Sequence, residues 1–249
     1  MSRYSLVMMP GLDGTGIMFR PLLGELKGAV DPVVISYDQE EEYSYQRLAD
    51  IVAGSLPQND FFMLGESFSG PLALMIASQK PKGLKGVILC ASFITNPSAM
   101  FPSSLSFLVR SPLFYLWPLS LKANVLTGGR ASGQIRQLMQ EAREKSRSRA
   151  LAFRTREALR VNVTEELRQC PYPILYLKGA RDLVVMGHNL RKIKKANKDV
   201  SDITLDTSHL VLQEAPQESA REILKFIRNA EGRAAAEGAP TGQTPASDF

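Results

Sequence analysis

The chain has 249 residues, a formal net charge of +5 and a composition that is ordinary for a globular protein. This mild charge does not require a nucleic-acid partner, and no nucleic-acid-binding motif is present. Two cysteines, Cys90 and Cys170, are too few for a disulfide framework, so we expect a cytoplasmic protein. The two histidines, His188 and His209, lie far from any cysteine pair, and we therefore expect neither a metal site nor a cofactor.

The apolar stretch near the N-terminus, LVMMP, is too short for a secretory signal. The longest apolar runs of the chain stay well below the roughly 18–20 residues that cross a membrane. We therefore expect no membrane-spanning segment. Peripheral contact with a membrane surface and the oligomeric state stay open.

Short apolar runs alternate with amphipathic segments along most of the chain. This alternation is typical of a parallel sheet with right-handed crossovers, and continuously apolar runs indicate strands that are covered on both faces. We predict an α/β fold with a mostly parallel sheet of about six strands and helices on both faces. The predicted strands are Tyr4–Met9, Val33–Tyr37, Phe61–Leu64, Gly86–Cys90, Ile174–Leu177 and Asp202–Leu205. The predicted helices are Phe19–Lys27, Tyr43–Leu56, Pro71–Gln79, His188–Ala196 and Pro216–Ala230.

The alternation breaks between residues 95 and 169. A Pro- and aromatic-rich stretch comes first, and a strongly charged helical stretch follows from Ser132 to about Leu167. We predict a helical cap over 95–169, inserted into a core formed by 1–94 and 170–230, and a plain helical packing layer is the alternative. The tail 231–249 is rich in Ala, Gly and Pro. We predict that it is disordered, because it has little apolar surface to bury.

The segment FFMLGESFSG, Phe61–Gly70, joins an apolar strand to a helix-forming stretch. A serine at such a strand–turn–helix junction is typical of a nucleophile elbow, in which small residues let the two backbones approach closely. Ser69 replaces the second glycine of the usual G-x-S-x-G pattern, and serine is small enough for that position. An ordinary strand-to-helix turn around Ser67 is the alternative interpretation.

A serine nucleophile needs a histidine to take its proton and an acid to orient that histidine. Asp182 follows one predicted strand and His209 follows the next, so both should lie with Ser67 at the carboxyl edge of the sheet. As alternatives, Asp182 would form a turn or pair with Arg181. His188, the other histidine, begins a Lys- and Arg-rich helix that is typical of a solvated face.

The stretch after the first predicted strand reads MMPGLDGTG, Met8–Gly16. Acyl transfer requires N–H donors for an oxyanion, supplied in such sheets by this loop and by the residue after the nucleophile. We predict the backbone N–H groups of Leu12 and Phe68 as that pair. A phosphate-binding loop is the alternative, but the glycine spacing does not match the dinucleotide fingerprint and no Gly-Lys-Ser/Thr follows.

The motifs PGLDG, GESFSG, GARD and SH, in this order over roughly residues 4–230, resemble those of the α/β-hydrolase superfamily. PGLDGTG and GESFSG are similar to the hydrolase half of plant phytyl ester synthase and esterase/lipase-like proteins, and to small bacterial carboxylesterases. The resemblance implies a lid and a serine-dependent acyl transfer, with Ser67 as nucleophile, His209 as general base and acid, and Asp182 as orienting carboxylate. The usual N-terminal antiparallel strand pair is not expected, which predicts the smaller sheet.

The first half of the predicted cap carries large apolar side chains. Those that we predict to line an acyl pocket, or alternatively to pack the cap onto the sheet, are Phe101, Phe107, Phe114 and Trp117. The second half is basic, with 10 Lys and Arg against 3 Glu between Lys122 and Arg160. Such a run is a solvated face or attracts an anionic carrier or a membrane surface.

The sequence favours a serine hydrolase that cleaves carboxylic esters of short to medium acyl chains through an acyl-enzyme. A thioesterase or an acyltransferase with the same three residues stays open, so the expected partner is a small acyl ester or thioester. A non-catalytic ligand-binding protein on the same fold is the third hypothesis. It is disfavoured because a receptor has no need of a complete Ser, Asp and His set.

Overall fold

The computed structural model describes residues 4–98, 102–109 and 124–237, and for 233–237 it describes the backbone alone. Six strands form one all-parallel sheet in the order β2-β1-β3-β4-β5-β6. This confirms the predicted α/β class and the predicted number of strands. The strands are β1 Ser5–Met9, β2 Asp31–Val34, β3 Phe61–Glu66, β4 Leu84–Cys90, β5 Ile174–Gly179 and β6 Ser201–Leu205.

Helices connect the strands and flank the sheet. The α-helices that we label are α1 Arg20–Leu26, α2 Tyr45–Ala53, α3 Ser69–Ser78, α4 Gly133–Lys145, α5 Ser148–Arg160, α6 Thr164–Gln169, α7 His188–Ala196, α8 Val211–Glu214 and α9 Pro216–Glu237. Short 3-10 helices cover Ile17–Phe19 and Ser103–Leu108, and residues 124–127 form one further helical turn. Among the helices of the described ranges, none has the length and apolar character needed to cross a membrane.

Both faces of the sheet are buried. Successive strand residues point to opposite faces, so Val7 and Met9 of β1 pack in one core cluster with α2, α3 and α7. Leu6 and Met8 pack in a second cluster with α1, α8 and α9. The continuously apolar strands of the sequence follow from this double coverage.

Strand β2 differs from its predicted bounds, Val33–Tyr37. It lies at the edge of the sheet and pairs with β1 through Asp31–Val34, and an edge position tolerates Pro32, which has no N–H to donate. Tyr37 leaves the strand, because its backbone N–H donates to the carbonyl oxygen of Gly14 at 2.7 Å. The segment after β2 is therefore attached to the loop that follows β1.

Helix α9 also differs from its predicted end. It continues to Glu237, past residue 231, where we predicted that the disordered tail begins. The added residues include three consecutive alanines, and alanine has the highest helix propensity, which favours continuation of the helix. The rest of the predicted tail, 238–249, lies outside the described residues.

Helices α4, α5 and α6 lie in the chain between β4 and β5, within the predicted cap. Ser132 caps α4 by accepting a hydrogen bond from the N–H of Ile135 at 3.2 Å. The apolar side of α4 packs on Met18 and Leu210, which belong to the core. The cap boundaries 95–169 stay a prediction, because 99–101 and 110–123 lie outside the described residues.

Candidate active site

The turn between β3 and α3 holds Ser67 in the left-handed conformation, with φ of 48°. A residue other than glycine seldom adopts this conformation, so the surrounding structure must hold it. The Ser67 N–H donates to Cys90 O at 2.8 Å, and the Ser67 carbonyl accepts from Ser92 Oγ at 2.6 Å. A Cβ on Gly65 would lie 2.5 Å from Ser69 O, which explains the glycine two residues before the turn.

Asp182 and His209 follow β5 and β6, and both lie beside Ser67. His209 Nε2 is 3.0 Å from Ser67 Oγ, and His209 Nδ1 is 2.9 Å from Asp182 Oδ2. The other oxygen, Asp182 Oδ1, accepts from the N–H groups of Val184 and Val185, each at 2.8 Å. Because a carboxylate can only accept, Nδ1 of the imidazole carries its proton and Nε2 is the acceptor for the serine hydroxyl.

The loop that carries His209 is fixed from two sides. A Cβ on Gly179 would lie 1.9 Å from Ser208 O, so the end of β5 must be glycine for this loop to pass. The Ser208 N–H donates to Glu214 Oε2 at 2.8 Å, and the His209 N–H donates to Leu126 O at 3.2 Å. A core helix and the predicted cap thus both position the imidazole.

The side chains named as alternatives find other partners. Arg181 pairs with Asp206 and donates through Nη2 to the Asp206 carbonyl oxygen at 2.7 Å. His188 begins α7, where its Nε2 lies 3.2 Å from Asn189 Nδ2. Neither contact involves Ser67.

The loop after β1, residues 10–16, is called the glycine loop below. The Gly14 N–H donates to Gly11 O at 3.1 Å. The Gly11 N–H faces the Glu66 carboxylate, and the Asp13 N–H faces its own carboxylate. For the N–H of Leu12, the described part of the chain offers no acceptor. The amide that we predicted as an oxyanion donor is therefore free to bind a ligand.

Phe68, the second predicted donor, lies between Ser67 and the first residue of α3. Its ring stacks on the Tyr45 ring with centroids 4.5 Å apart, and its carbonyl oxygen accepts from Tyr45 Oη at 2.7 Å. Within residues 4–98, 102–109 and 124–237, its N–H has no acceptor either.

Ser69 does more than fit the space that a glycine usually fills. Its hydroxyl donates to the carbonyl oxygen of Pro10 in the glycine loop. It therefore accepts from Tyr37 Oη, which lies 2.5 Å away. Burial raises the pKa of the Tyr37 phenol well above its usual value, so the phenol stays protonated and able to donate. The serine thus connects the turn at Ser67 to the glycine loop, a role that its size alone did not indicate.

Glu66 is a buried acid that the sequence analysis missed. Its side chain is 6% exposed, and Oε1 accepts from Gln213 Nε2 at 2.9 Å. Burial raises the pKa of this carboxyl to about 7, against the opposing effect of the hydrogen bond from Gln213. The available signal is an acid at the end of an otherwise apolar strand, FFMLGE.

The basic stretch of the predicted cap is divided between surface and interior. Arg147 pairs with Glu40 at 2.9 Å and Arg149 pairs with Glu42 at 2.7 Å, both at the surface. Arg154 is buried, with 3% of its surface exposed. Sequence reasoning treated the stretch as one unit and did not separate this arginine from the others.

A cavity of about 640 Å³ lies over Ser67 and His209, between the core and the predicted cap. Phe107, predicted to line an acyl pocket, is 54% exposed and is not part of the lining, whereas Phe101, Phe114 and Trp117 lie outside the described residues. The apolar residues that line the cavity are Leu12, Met18, Val109, Val125, Leu126, Met139, Ala142, Leu151, Leu159, Val184 and Leu210.

In the described part of the chain, no cluster of three or more His, Cys, Asp or Glu side chains is suited to hold a metal ion.

Comparison with known families agrees with this fold. Residues 6–222 match the model of the alpha/beta hydrolase family. The chain belongs to this family. The resemblance that the sequence motifs indicated is thereby confirmed, and the protein is a member of the α/β-hydrolase superfamily.

Several solved structures share the fold of this α/β-hydrolase. An esterase from Exiguobacterium antarcticum has a TM-score of 0.80 at 14% identity, over 91% of this chain and 92% of that one. An esterase from Thermogutta terrifontis has a TM-score of 0.77 at 16% identity, over 92% and 91%. An enol-lactonase from Burkholderia xenovorans LB400 has a TM-score of 0.74 at 14% identity, over 92% of each chain. A comparison with curated proteins finds no match.

Proposed function

We propose that this α/β-hydrolase cleaves carboxylic esters through an acyl group bound to Ser67. The observation that carries the proposal is the imidazole of His209, which lies 3.0 Å from Ser67 Oγ and 2.9 Å from Asp182 Oδ2. These distances allow one nitrogen to take the serine proton while the carboxylate stabilises the imidazolium that forms. The arrangement is that of a catalytic triad.

In the first half of the reaction, Ser67 Oγ attacks the ester carbonyl and its proton passes to His209 Nε2. The carbonyl oxygen becomes an oxyanion, which the N–H groups of Leu12 and Phe68 stabilise. Collapse of this intermediate breaks the ester bond, and the imidazolium gives its proton to the leaving alcohol. In the second half, His209 takes a proton from water, the hydroxide attacks the acyl group, and the acid leaves as Ser67 recovers its proton.

The cavity supports an apolar acyl group of short to medium length, because its lining is mostly aliphatic and its volume is about 640 Å³. Two of the structural neighbours are esterases, and the lactone named for a third is a cyclic ester. Both reactions require the attack on an ester carbonyl that the triad supplies.

A chain-length series of p-nitrophenyl esters, from acetate to dodecanoate, tests the proposal on the wild type and on Ser67→Ala and His209→Ala. Loss of a triad member lowers kcat by about 10⁴-fold or more. We expect this loss in both variants, with unchanged circular dichroism. His188→Ala is the matched control, because it removes the other histidine of the chain and should leave turnover unchanged.

A fluorophosphonate probe separates the remaining hypotheses, because it reacts with an activated serine. Stoichiometric labelling of Ser67 that is lost in His209→Ala supports the proposal. No labelling of folded wild-type protein would instead favour a non-catalytic ligand-binding protein. Labelling together with faster turnover of thioesters, or with transfer to an added alcohol, would assign the same residues to a thioesterase or an acyltransferase.

A further inference from the structure

Arg154 lies in the middle of α5 and extends into the core. Its guanidinium donates through Nη1 to Leu12 O at 3.2 Å and to Asp13 O at 3.0 Å, and through Nη2 to Asp38 O at 2.8 Å. A fourth, longer contact reaches Gln39 Oε1 at 3.4 Å. All of these acceptors are carbonyl oxygens. A buried charge is costly unless its donors are satisfied, so the guanidinium is held in place by this set of acceptors.

The glycine loop is shaped around this guanidinium. Gly14 has φ of 71°, and a Cβ at that position would lie 2.5 Å from Arg154 Nη1. The guanidinium carbon also lies over the ring of Tyr37, 5.4 Å from its centroid. Tyr37 Oη in turn lies 2.5 Å from Ser69 Oγ, at the start of α3. A continuous series of contacts therefore joins α5 to α3, the helix that begins after the turn at Ser67.

These contacts fix the peptide groups on both sides of the Leu12 N–H. On one side, the Pro10 carbonyl accepts from Ser69. On the other side, the Leu12 carbonyl accepts from Arg154. The peptide between Gly11 and Leu12 is itself held by the turn in which Gly11 O accepts from the next glycine of the loop. With its neighbours fixed, the orientation of the Leu12 N–H is fixed as well.

We propose that Arg154 is a positioning residue for the glycine loop: the guanidinium of the cap holds the loop in the conformation that presents the Leu12 N–H to the reacting oxygen. The inference rests on the proposed ester hydrolysis and extends it. The cap then completes the oxyanion site, in addition to enclosing the acyl group. A purely structural arginine would attach α5 to the core and leave the chemical step unchanged.

Arg154→Lys tests this proposal, because lysine keeps the charge but lacks the planar fork that reaches several carbonyl oxygens at once. Arg156→Lys is the matched control on the same helix. Arg156 Nη1 donates to Val109 O at 3.0 Å, and its guanidinium carbon lies 5.3 Å from the centroid of the Phe153 ring. The control therefore removes contacts of the same two kinds, one with a carbonyl oxygen and one with an aromatic ring, and neither of them involves the glycine loop.

Loss of an oxyanion donor lowers kcat by about 10²–10³-fold, and a misplaced donor should cost less. We expect Arg154→Lys to lower kcat about 10- to 100-fold with KM changed less than about threefold, and Arg156→Lys to change kcat less than about twofold. A trifluoromethyl ketone, which forms a tetrahedral adduct with the serine, should bind Arg154→Lys more weakly by the same factor as the loss in kcat/KM. Unchanged kcat with a lower Tm would overturn the proposal.

Hydrogen–deuterium exchange of the peptide covering residues 8–16 supplies a second readout that does not depend on turnover. We expect faster exchange in Arg154→Lys than in the wild type and in Arg156→Lys. Equal exchange in all three proteins would overturn the proposal that Arg154 holds the glycine loop, even if the wild type proves to be no esterase. Failure of Arg154→Lys to fold, where Arg156→Lys folds, would assign Arg154 to fold stability and would also overturn the proposal.

Discussion

Glu66→Gln should change how the stability of the protein depends on pH. The carboxyl of Glu66 is buried next to Ser67, and burial raises its pKa from 4.5 to about 7. A hydrogen bond from Gln213 and the proximity of His209 oppose this rise, and Asp13 adds to it. Glutamine has nearly the same shape but does not titrate. We therefore expect the wild type to lose stability relative to Glu66→Gln as the pH rises from about 4.5 to about 7.

The sign and the size of this effect follow from the pKa shift. Because the pKa is higher in the folded protein than in the unfolded chain, the folded protein binds more protons between pH 4.5 and about 7. The contribution of Glu66 to the free energy of unfolding is thus fully present below pH 4.5 and is lost as the pH rises through 7. At about 1.4 kcal/mol per pKa unit, the rise corresponds to about 3 kcal/mol. For a chain of this length, that is about 6–12 °C in Tm.

The measurement is the Tm of the wild type and of Glu66→Gln at intervals from pH 4.5 to pH 8. The glutamine side chain of the variant has one oxygen for two donors, the Gly11 N–H and Gln213 Nε2. One donor loses its acceptor, so the variant has a free energy of unfolding lower by about 1–3 kcal/mol at every pH. Glu25→Gln is the control, because Glu25 is exposed and also accepts from a glutamine amide, Gln217 Nε2 at 3.0 Å. Parallel curves for the wild type and Glu66→Gln would refute the reasoning.

Two further substitutions test the packing around the serine turn. Ser69→Gly restores the more common glycine but removes both hydrogen bonds of the hydroxyl, the one accepted by Pro10 O and the one donated by Tyr37 Oη. Of the two, the bond to Pro10 holds the glycine loop, and its loss, about 1 kcal/mol, should lower kcat about fivefold in the ester assay. A variant as active as the wild type would show that the hydroxyl does not support the glycine loop. Gly65→Ala places a Cβ 2.5 Å from Ser69 O, and urea unfolding should show a loss of about 1–3 kcal/mol. Unfolding at the wild-type midpoint would mean that the backbone adapts without strain.

Central strands were predictable from the sequence, and the edge strand was not. Strand β3 begins at the predicted residue, Phe61, because both of its faces are buried and its residues form a continuous apolar run. Strand β2 is mostly exposed, so it has no such run, and the apolar residues near it include Tyr37, which packs with the core outside the strand. A strand that is buried on both faces has a continuous apolar run, which predicts its bounds. An edge strand is less buried, so the sequence predicts its bounds less accurately.

The proximity of Ser67, Asp182 and His209 was predictable for a topological reason. Each follows a strand, and the carboxyl ends of parallel strands meet at one edge of the sheet. The chain order Ser, Asp, His and the glycine loop after β1 added to that inference. No comparable rule identifies Glu66, because its raised pKa comes from burial and from Gln213, which is 147 residues away in the chain.

Arg154 shows most clearly why part of the site could not be predicted. A buried arginine that pairs with an acid requires a particular residue type as its partner, whereas the partners of Arg154 are carbonyl oxygens, which almost any residue supplies. The remaining signal is spacing, because Arg154 lies four residues from Ala150 and from Ala158, both buried on the same side of α5. An arginine between two small residues at helical spacing indicates a guanidinium that enters the core. The stretch Lys122–Arg160 contains ten basic residues, and this spacing distinguishes Arg154 from the arginines that face the solvent.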